Sequence, residues 1–169
     1  MIAVDATTSK ELWKTEINAK QKKWMRCRGL AYFDAQAPLQ QPDVPDFTPV
    51  STVSVAATAQ CQRRILMNSV TPELIALDAD TGEFCHDFGN NGRVSLSDHM
   101  GKGADKGEYY PTSAPTLAGT TVVIGGRVAD NVATDMPGGV VRGFDVITGQ
   151  LRWAFDPGNP EQKQAPAEG

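Results

Sequence analysis

The sequence has no run of apolar residues near the roughly eighteen that a transmembrane helix needs, so no membrane-spanning helix is expected in this chain. It also lacks a basic excess. Sixteen Lys plus Arg stand against twenty Asp plus Glu, a net charge of -4, whereas generic binding to a phosphate backbone needs a positive surface. No nucleic-acid partner is expected. Histidine is scarce, with only His86 and His99, and neither has a Cys or His at ligand spacing or a nucleophile motif nearby. The three cysteines, Cys27, Cys61 and Cys85, are too few and too far apart for a Cys-x-x-Cys metal knuckle or a dense disulfide framework. One disulfide can form, and Cys27 to Cys61 is the favoured pair. The opening residues MIAVD have neither the basic region nor the apolar core of a signal peptide, so no targeting segment is expected here. Sixteen Gly and eleven Pro are abundant and leave few long uninterrupted runs, which argues against a helical bundle and for strands and turns. The reading is all-β. At 169 residues, 40% of them hydrophobic, the chain can bury a core.

One segment occurs three times: IAVDATTSKELW (2–13), IALDADTGEFCH (75–86) and GFDVITGQLRW (143–153). Aligned on Asp5, Asp78 and Asp145, each copy has a Thr three residues on and then Ser9, Gly82 or Gly149. Eight residues after each aspartate stands Trp13, His86 or Trp153. The pattern describes a strand, a tight turn and a second strand. Asp and Thr cap the turn through side-chain hydrogen bonds to the backbone, and Gly supplies the positive φ. The aromatic then packs back on the hairpin. Such a hairpin is marginal alone, so its recurrence at spacings of 73 and 67 residues implies stacked units that bury each other's faces, as in a propeller or solenoid. Three unrelated hairpins of a β-sandwich are the alternative.

Between the first two copies lies a Pro-rich excursion, 38–59, too poor in apolar residues to form a buried strand pair. RILMN (64–68) resumes as a strand, and TVVIG (121–125), β-branched and flanked by glycines, is the clearest buried strand. The propeller portion is assigned to 1–157, and the Pro, Gln, Ala and Glu-rich tail 158–169 is expected to be disordered. Asp87-Phe88-Gly89 matches a kinase metal-binding triplet, but no glycine-rich loop or His-Arg-Asp segment accompanies it. The glycines at 101, 103 and 107 open no helix and form a surface loop rather than a phosphate cradle.

Three places carry chemistry. Arg26-Cys27-Arg28-Gly29 puts two guanidinium groups beside a glycine ahead of a short apolar strand, where one could grip a carboxylate bidentately; a surface salt bridge is the alternative. Tyr110-Pro111-Thr112-Ser113 sets hydroxyls at the head of the strand that leads to TVVIG, although hydroxyl-bearing turns are common. Asp130-Asn131 follows that buried strand closely, where oxygens could converge on a hard divalent cation; an Asx turn is the alternative.

Together, RCRGLAYFDA (26–35), CQRRIL (61–66), LIALDADTGEFCHDFGNNG (74–92), YYPTSAP (109–115), VADN (128–131) and VVRGFDVITGQLRWAFDPGNP (140–160) resemble the quinoprotein alcohol dehydrogenase superfamily. These are eight-bladed β-propellers that carry pyrroloquinoline quinone (PQQ). The likeness is nearer to the membrane-bound glucose and quinate or shikimate dehydrogenases. It implies a partial propeller of about three blades, oxidising a sugar or cyclitol hydroxyl of a small polyol and passing electrons to ubiquinone at the periplasmic face of the bacterial inner membrane. By motif, Arg28 and Thr112 would bind PQQ, and Asp130 with Asn131 would ligate Ca²⁺ or Mg²⁺. The same resemblance puts the catalytic aspartate and a cofactor-contacting lysine in later blades, outside these residues, and makes the remaining blades obligatory partners. A non-catalytic propeller scaffold of the same repeat family is the alternative from another class.

Overall fold

Each repeat is organised by its aspartate. In the computed structural model, Asp5 Oδ1 accepts the Thr7 and Thr8 N–H groups at 3.0 and 2.6 Å. Asp78 Oδ1 accepts Asp80 and Thr81 at 2.9 and 3.0 Å, and Asp145 Oδ1 accepts Ile147 and Thr148 at 2.8 and 2.7 Å. The turn then closes on the aspartate's own carbonyl, which accepts Ser9, Gly82 or Gly149 N–H at 2.8 to 2.9 Å. Those three residues have φ of 58, 75 and 71°, the left-handed region where glycine carries no Cβ penalty. The recurrence of Asp, Thr and Gly is thus the recurrence of one hydrogen-bonded turn.

The structure describes residues 1–17, 28–37, 60–100, 108–134, 136–158 and 160–161. The Pro-rich excursion 38–59, Cys27, the glycine run at 101–107 and most of the tail expected to be disordered lie outside the described residues. The described elements are all strands: β1 (Ile2–Val4), β2 (Glu11–Lys14), β3 (Ala31–Asp34), β4 (Arg63–Asn68), β5 (Glu73–Asp78), β6 (Arg93–Ser95), β7 (Tyr109–Tyr110), β8 (Thr116–Ala118), β9 (Thr121–Ile124), β10 (Arg127–Val128), β11 (Val141–Asp145) and β12 (Leu151–Phe155).

They form one antiparallel pair, β1-β2, and two four-stranded antiparallel sheets, β3-β4-β5-β6 and β8-β9-β11-β12, with β7 and β10 as a separate antiparallel pair. We refer to the three units as the first, second and third blade. The second and third blades repeat the same strand order, and their leading strands β3 and β8 touch. Alternate and then continuous burial along β4 and β5 puts Leu66, Leu74, Ala76 and Leu77 fully out of water, joined in the core by Phe33, Phe88, Leu96, Val122 and Phe144. Each large apolar side chain so buried contributes roughly 1.5–3 kcal/mol.

The disulfide differs from the pairing expected. Cys61 is bonded to Cys85, with a Cα–Cα separation of 5.7 Å, and both are buried. The strand pairing of β4 and β5 explains this: it brings the start of β4 beside the hairpin that ends β5, whereas sequence spacing alone says nothing of that register.

The repeated aromatic also behaves differently from copy to copy. Trp153 packs over Gly143 of its own hairpin, where a Cβ would collide with the indole. Trp13 instead reaches the next repeat. Its Nε1–H donates to Ala79 O at 3.0 Å, its ring lies against Gly82, and Thr15 Oγ1 donates to Gly82 O at 2.6 Å. His86 is exposed, because the second hairpin leaves the sheet after the Leu77–Phe84 bridge and rejoins only at β6.

Gly82 therefore answers two demands, a positive φ and contact with Trp13, whereas Gly119 has φ 59° with nothing within 4 Å of an added Cβ. In the full-length protein, Gly82→Ala should cost on the order of 2–4 kcal/mol, from left-handed strain plus overpacking, against about 1 kcal/mol for Gly119→Ala. Denaturant midpoints of the two variants measure the difference. Equal costs would mean that the Trp13 contact adds nothing.

Candidate functional site

Strand direction sorts the chain's chemistry onto two ends. The aspartate turns close the ends of β5 and β11, at the same end as Asp34 and Arg63. The starts of β3 and β8, together with the end of β4, define the opposite end, and two of the regions singled out above meet there. Gly29, next to Arg28, comes so close to the 112–115 turn that a Cβ on it would stand 3.0 Å from the Ala114 Cβ. Arg28 is exposed, and Thr112 is half-buried behind Pro111.

Asn68, the last residue of β4, joins this end. Its Nδ2 donates to Ser113 O at 2.6 Å, while its Oδ1 is buried without a partner. Sequence reasoning did not single out Asn68. The available signal was a polar residue closing the apolar alternation of RILMN just before a Ser-Val-Thr-Pro turn, a pattern that an ordinary strand end shares.

Asp130 and Asn131 are placed elsewhere. In the β7–β10 ladder Arg127 stands opposite Tyr110 and Val128 opposite Tyr109, and the Ala129 N–H then donates to Glu108 O at 2.7 Å. The strand thus carries Asp130 away from Thr112 rather than towards it. Both residues are exposed, and Asn131 has φ 57°, a conformation Asn tolerates in turns. Among the described residues, no three His, Cys, Asp or Glu side chains group as a metal site.

Beneath the ladder, Tyr109 is fully buried with its hydroxyl unpaired, and Gly126 lies against its ring. Burial pushes the Tyr109 phenol above its ordinary pKa, although the Arg142 guanidinium, 5.8 Å from the ring, works against the shift. Arg142 is itself buried and donates to Leu96 O at 2.5 Å and Asp98 O at 3.0 Å. This packed base fixes the strand from which the 111–115 turn departs.

The opposite end holds the aspartate turns and a polar cleft of about 470 Å³, lined by Asp34, Gln36, Gln60, Cys61, Gln62, Arg63, Asp78 and Asp80. Its charges are already engaged. Arg63 pairs with Asp80, and Asp78 spends both carboxylate oxygens on backbone N–H groups, Oδ2 accepting Cys61 at 2.9 Å. At Asp145, burial raises the carboxyl pKa, but the Thr148 N–H, the Arg152 guanidinium and the Ile147 N–H outweigh it and hold the group below the usual carboxylate range. These charged residues are spent on turns and ion pairs.

The donor set at the end that carries Arg28, Asn68 and Thr112 suits an acidic planar ligand. A guanidinium and a hydroxyl can hold carboxylates, and the orphaned Asn68 acceptor can take a ligand N–H. An aspartate with an adjacent amide suits a hard cation, which takes six to eight oxygens, so these two could supply only part of its shell.

Comparison with known proteins agrees with the fold so described. The whole chain, residues 1–169, matches the PQQ family of glucose/ethanol/alcohol dehydrogenases, beta-propeller domain. It is 53% identical over 161 residues to a quinate/shikimate dehydrogenase (quinone) of Acinetobacter baylyi, covering 95% of this chain and 20% of that protein. It is also 53% identical over 172 residues to a probable quinate dehydrogenase (quinone) of Xanthomonas campestris pv. juglandis, covering 100% of this chain and 21% of that one. To quinoprotein glucose dehydrogenase A of Acinetobacter calcoaceticus it is 38% identical, covering 100% of this chain and 21% of the relative. The chain thus spans about a fifth of the length of these relatives. With its repeated Asp-Thr-Gly turns, its serially ordered sheets and a family match over its whole length, this chain is part of a β-propeller and belongs to the PQQ-dependent dehydrogenase family.

Proposed function

We propose that the longer protein carrying these blades is a PQQ-dependent dehydrogenase that oxidises a hydroxyl of a small polyol, a cyclitol acid of the quinate or shikimate class, and delivers the electrons to ubiquinone. The observation that carries this is the meeting of the Arg28-Gly29 and Thr112-Ala114 segments at one end of two adjacent blades. The higher identity to quinate-type than to glucose-type relatives favours the cyclitol acid, and glucose is the second reading.

Bound PQQ supplies two-electron redox chemistry, and a Ca²⁺ or Mg²⁺ ion supplies Lewis acidity. The chain's own residues bind and orient. Arg28 would clamp a carboxylate of the cofactor, and Thr112 would add a hydrogen bond. Asn68 would hold the Thr112 turn through Ser113. Asp130 and Asn131 would contribute hard oxygens to the metal, and the proton-accepting aspartate is expected outside these residues.

Two further features support the reading. Ile2, Val4 and Leu12 are more than half exposed on the two-stranded first blade, and Leu151, Trp153 and Phe155 are exposed on β12, surfaces that the remaining blades would cover. A buried disulfide suits an oxidising compartment, in keeping with a periplasmic location at the inner membrane.

Arg28→Lys in the full-length protein tests the clamp. An ammonium keeps the charge but loses the bidentate geometry, so the apoenzyme should bind PQQ roughly ten- to a hundredfold more weakly in a direct titration. Unchanged affinity in a folded variant would return Arg28 to a surface charge.

Asp130→Asn removes a charged oxygen ligand while keeping the side chain's size. The half-saturating concentration of Ca²⁺ or Mg²⁺ for reconstitution should rise about tenfold or more. If it stays put, Asp130 is a turn residue.

A further inference from the structure

The second repeat has no tryptophan with which to reach the third, since the exposed His86 stands where Trp13 and Trp153 stand in the other copies. The seam between the second and third blades is closed by other means. Arg64, fully buried, donates from Nη1 to Ile147 O at 2.9 Å and from Nη2 to Asp87 Oδ2 at 2.5 Å. The Gly89 N–H donates to Thr148 O at 2.9 Å. Arg64 Nε has no partner, and among the described residues Asp87 is the carboxylate that neutralises this buried cation. Arg142, donating to Leu96 O and Asp98 O, and Asn68, donating to Ser113 O, hold other parts of the seam, and the part around residues 85–89 depends on where Asp87 is held.

Asp87 follows Cys85 by two residues, in a turn closed by the Phe88 N–H on Cys85 O at 2.9 Å. Cys85 is fixed twice, by its own N–H on Ala76 O at 3.0 Å and by the bond to Cys61. Cys61 is anchored in turn by its N–H on the Asp78 carboxylate, and it lines the open cleft at that end. One covalent bond thus ties the origin of the 85–89 turn to the start of β4, the strand on which Arg64 stands.

We propose that the Cys61–Cys85 disulfide is a redox-sensitive lock on the seam between the second and third blades. Closed, it keeps residues 85–89 where Asp87 neutralises Arg64 and Gly89 reaches Thr148. A dithiol reductant opens it. One reductant thiolate attacks Cys61 Sγ from the cleft, the S–S bond breaks, and Cys85 leaves as a thiolate that takes up a proton. The reductant's second thiol then displaces Cys61, also as a thiol, and the reductant departs as its cyclic disulfide, so two electrons pass to the two cysteines. Once free, the turn loses its covalent tie to the start of β4 and is held by its backbone hydrogen bonds, the buried Phe88 and the Asp87–Arg64 pair, and a buried guanidinium without its carboxylate favours the opened seam. The lock rests on the described blades alone, independent of the cofactor and substrate assigned above.

Hydrogen exchange on the full-length protein as purified tests it. The Gly89 amide reports the seam, and the Val146 amide, bonded to Thr120 O within the third blade, is the control. On addition of a dithiol, or in Cys85→Ser, Gly89 exchange should rise about tenfold or more with Val146 unchanged. Asp87→Asn should produce a similar rise in the oxidised protein and add less than about twofold in the Cys85→Ser background, because the two changes open the same lock. If Cys85→Ser does not fold, graded dithiol treatment of the unaltered protein, with and without Asp87→Asn, reads the same amides. Equal Gly89 protection in oxidised and reduced protein would overturn the proposal. So would additive effects of the two substitutions, or a rise that covers every blade.

Discussion

A carboxylate that accepts two backbone N–H groups of its own turn is the interaction on which this molecule rests. Asp5, Asp78 and Asp145 each fold four residues back on themselves, and each turn ends on a residue forced to positive φ. The turn fixes the register of the hairpin it closes. It also presents bare carbonyls and a glycine surface to the preceding blade. Trp13 uses that surface at the second turn through Ala79 O and Gly82, and Arg64 with Gly89 uses it at the third through Ile147 O and Thr148 O. A single local device therefore sets both the blade and the joint between blades.

This arrangement gathers the structural carboxylates at one end of the blades. The carboxylates at the turn end are consumed by backbone N–H groups or by Arg63 and Arg152, so that end holds the blades together. The opposite end, where β3 and β8 begin, keeps the exposed Arg28 and the buried, unpartnered amide oxygen of Asn68. Buried arginines cross the seam from both sides, Arg64 towards the third blade and Arg142 towards the strand segment after β6. Loop residues at the starts of β3 and β8 can then be held by a frame whose own polar groups are mostly satisfied.

The repeat was legible because its signal is local. Asp, Thr and Gly at fixed offsets act within five residues, so sequence alone located the three turns, and the strands read at 64–68 and 121–125 form as Arg63–Asn68 and Thr121–Ile124. What was not legible depends on which strands become neighbours. The Cys61–Cys85 pairing follows from the β4–β5 register, and the docking of Trp13 on the next hairpin follows from blade stacking. The same holds for Asn68, whose role comes from a carbonyl 45 residues away, and for the buried Arg64, which reads as an ordinary charge in CQRRIL. Asp130 and Asn131 were proposed from motif, and their position beyond the β7–β10 ladder came only from the pairing of those strands.

We propose that the end carrying Arg28, Asn68 and Thr112 binds the cofactor. A crystal structure of the full-length protein with PQQ bound measures this most directly. Cofactor density is expected at the starts of β3 and β8, with the Arg28 guanidinium and the Thr112 hydroxyl in hydrogen-bond range of it. Cofactor density at the aspartate-turn end, or beyond hydrogen-bond reach of both Arg28 and Thr112, would contradict it.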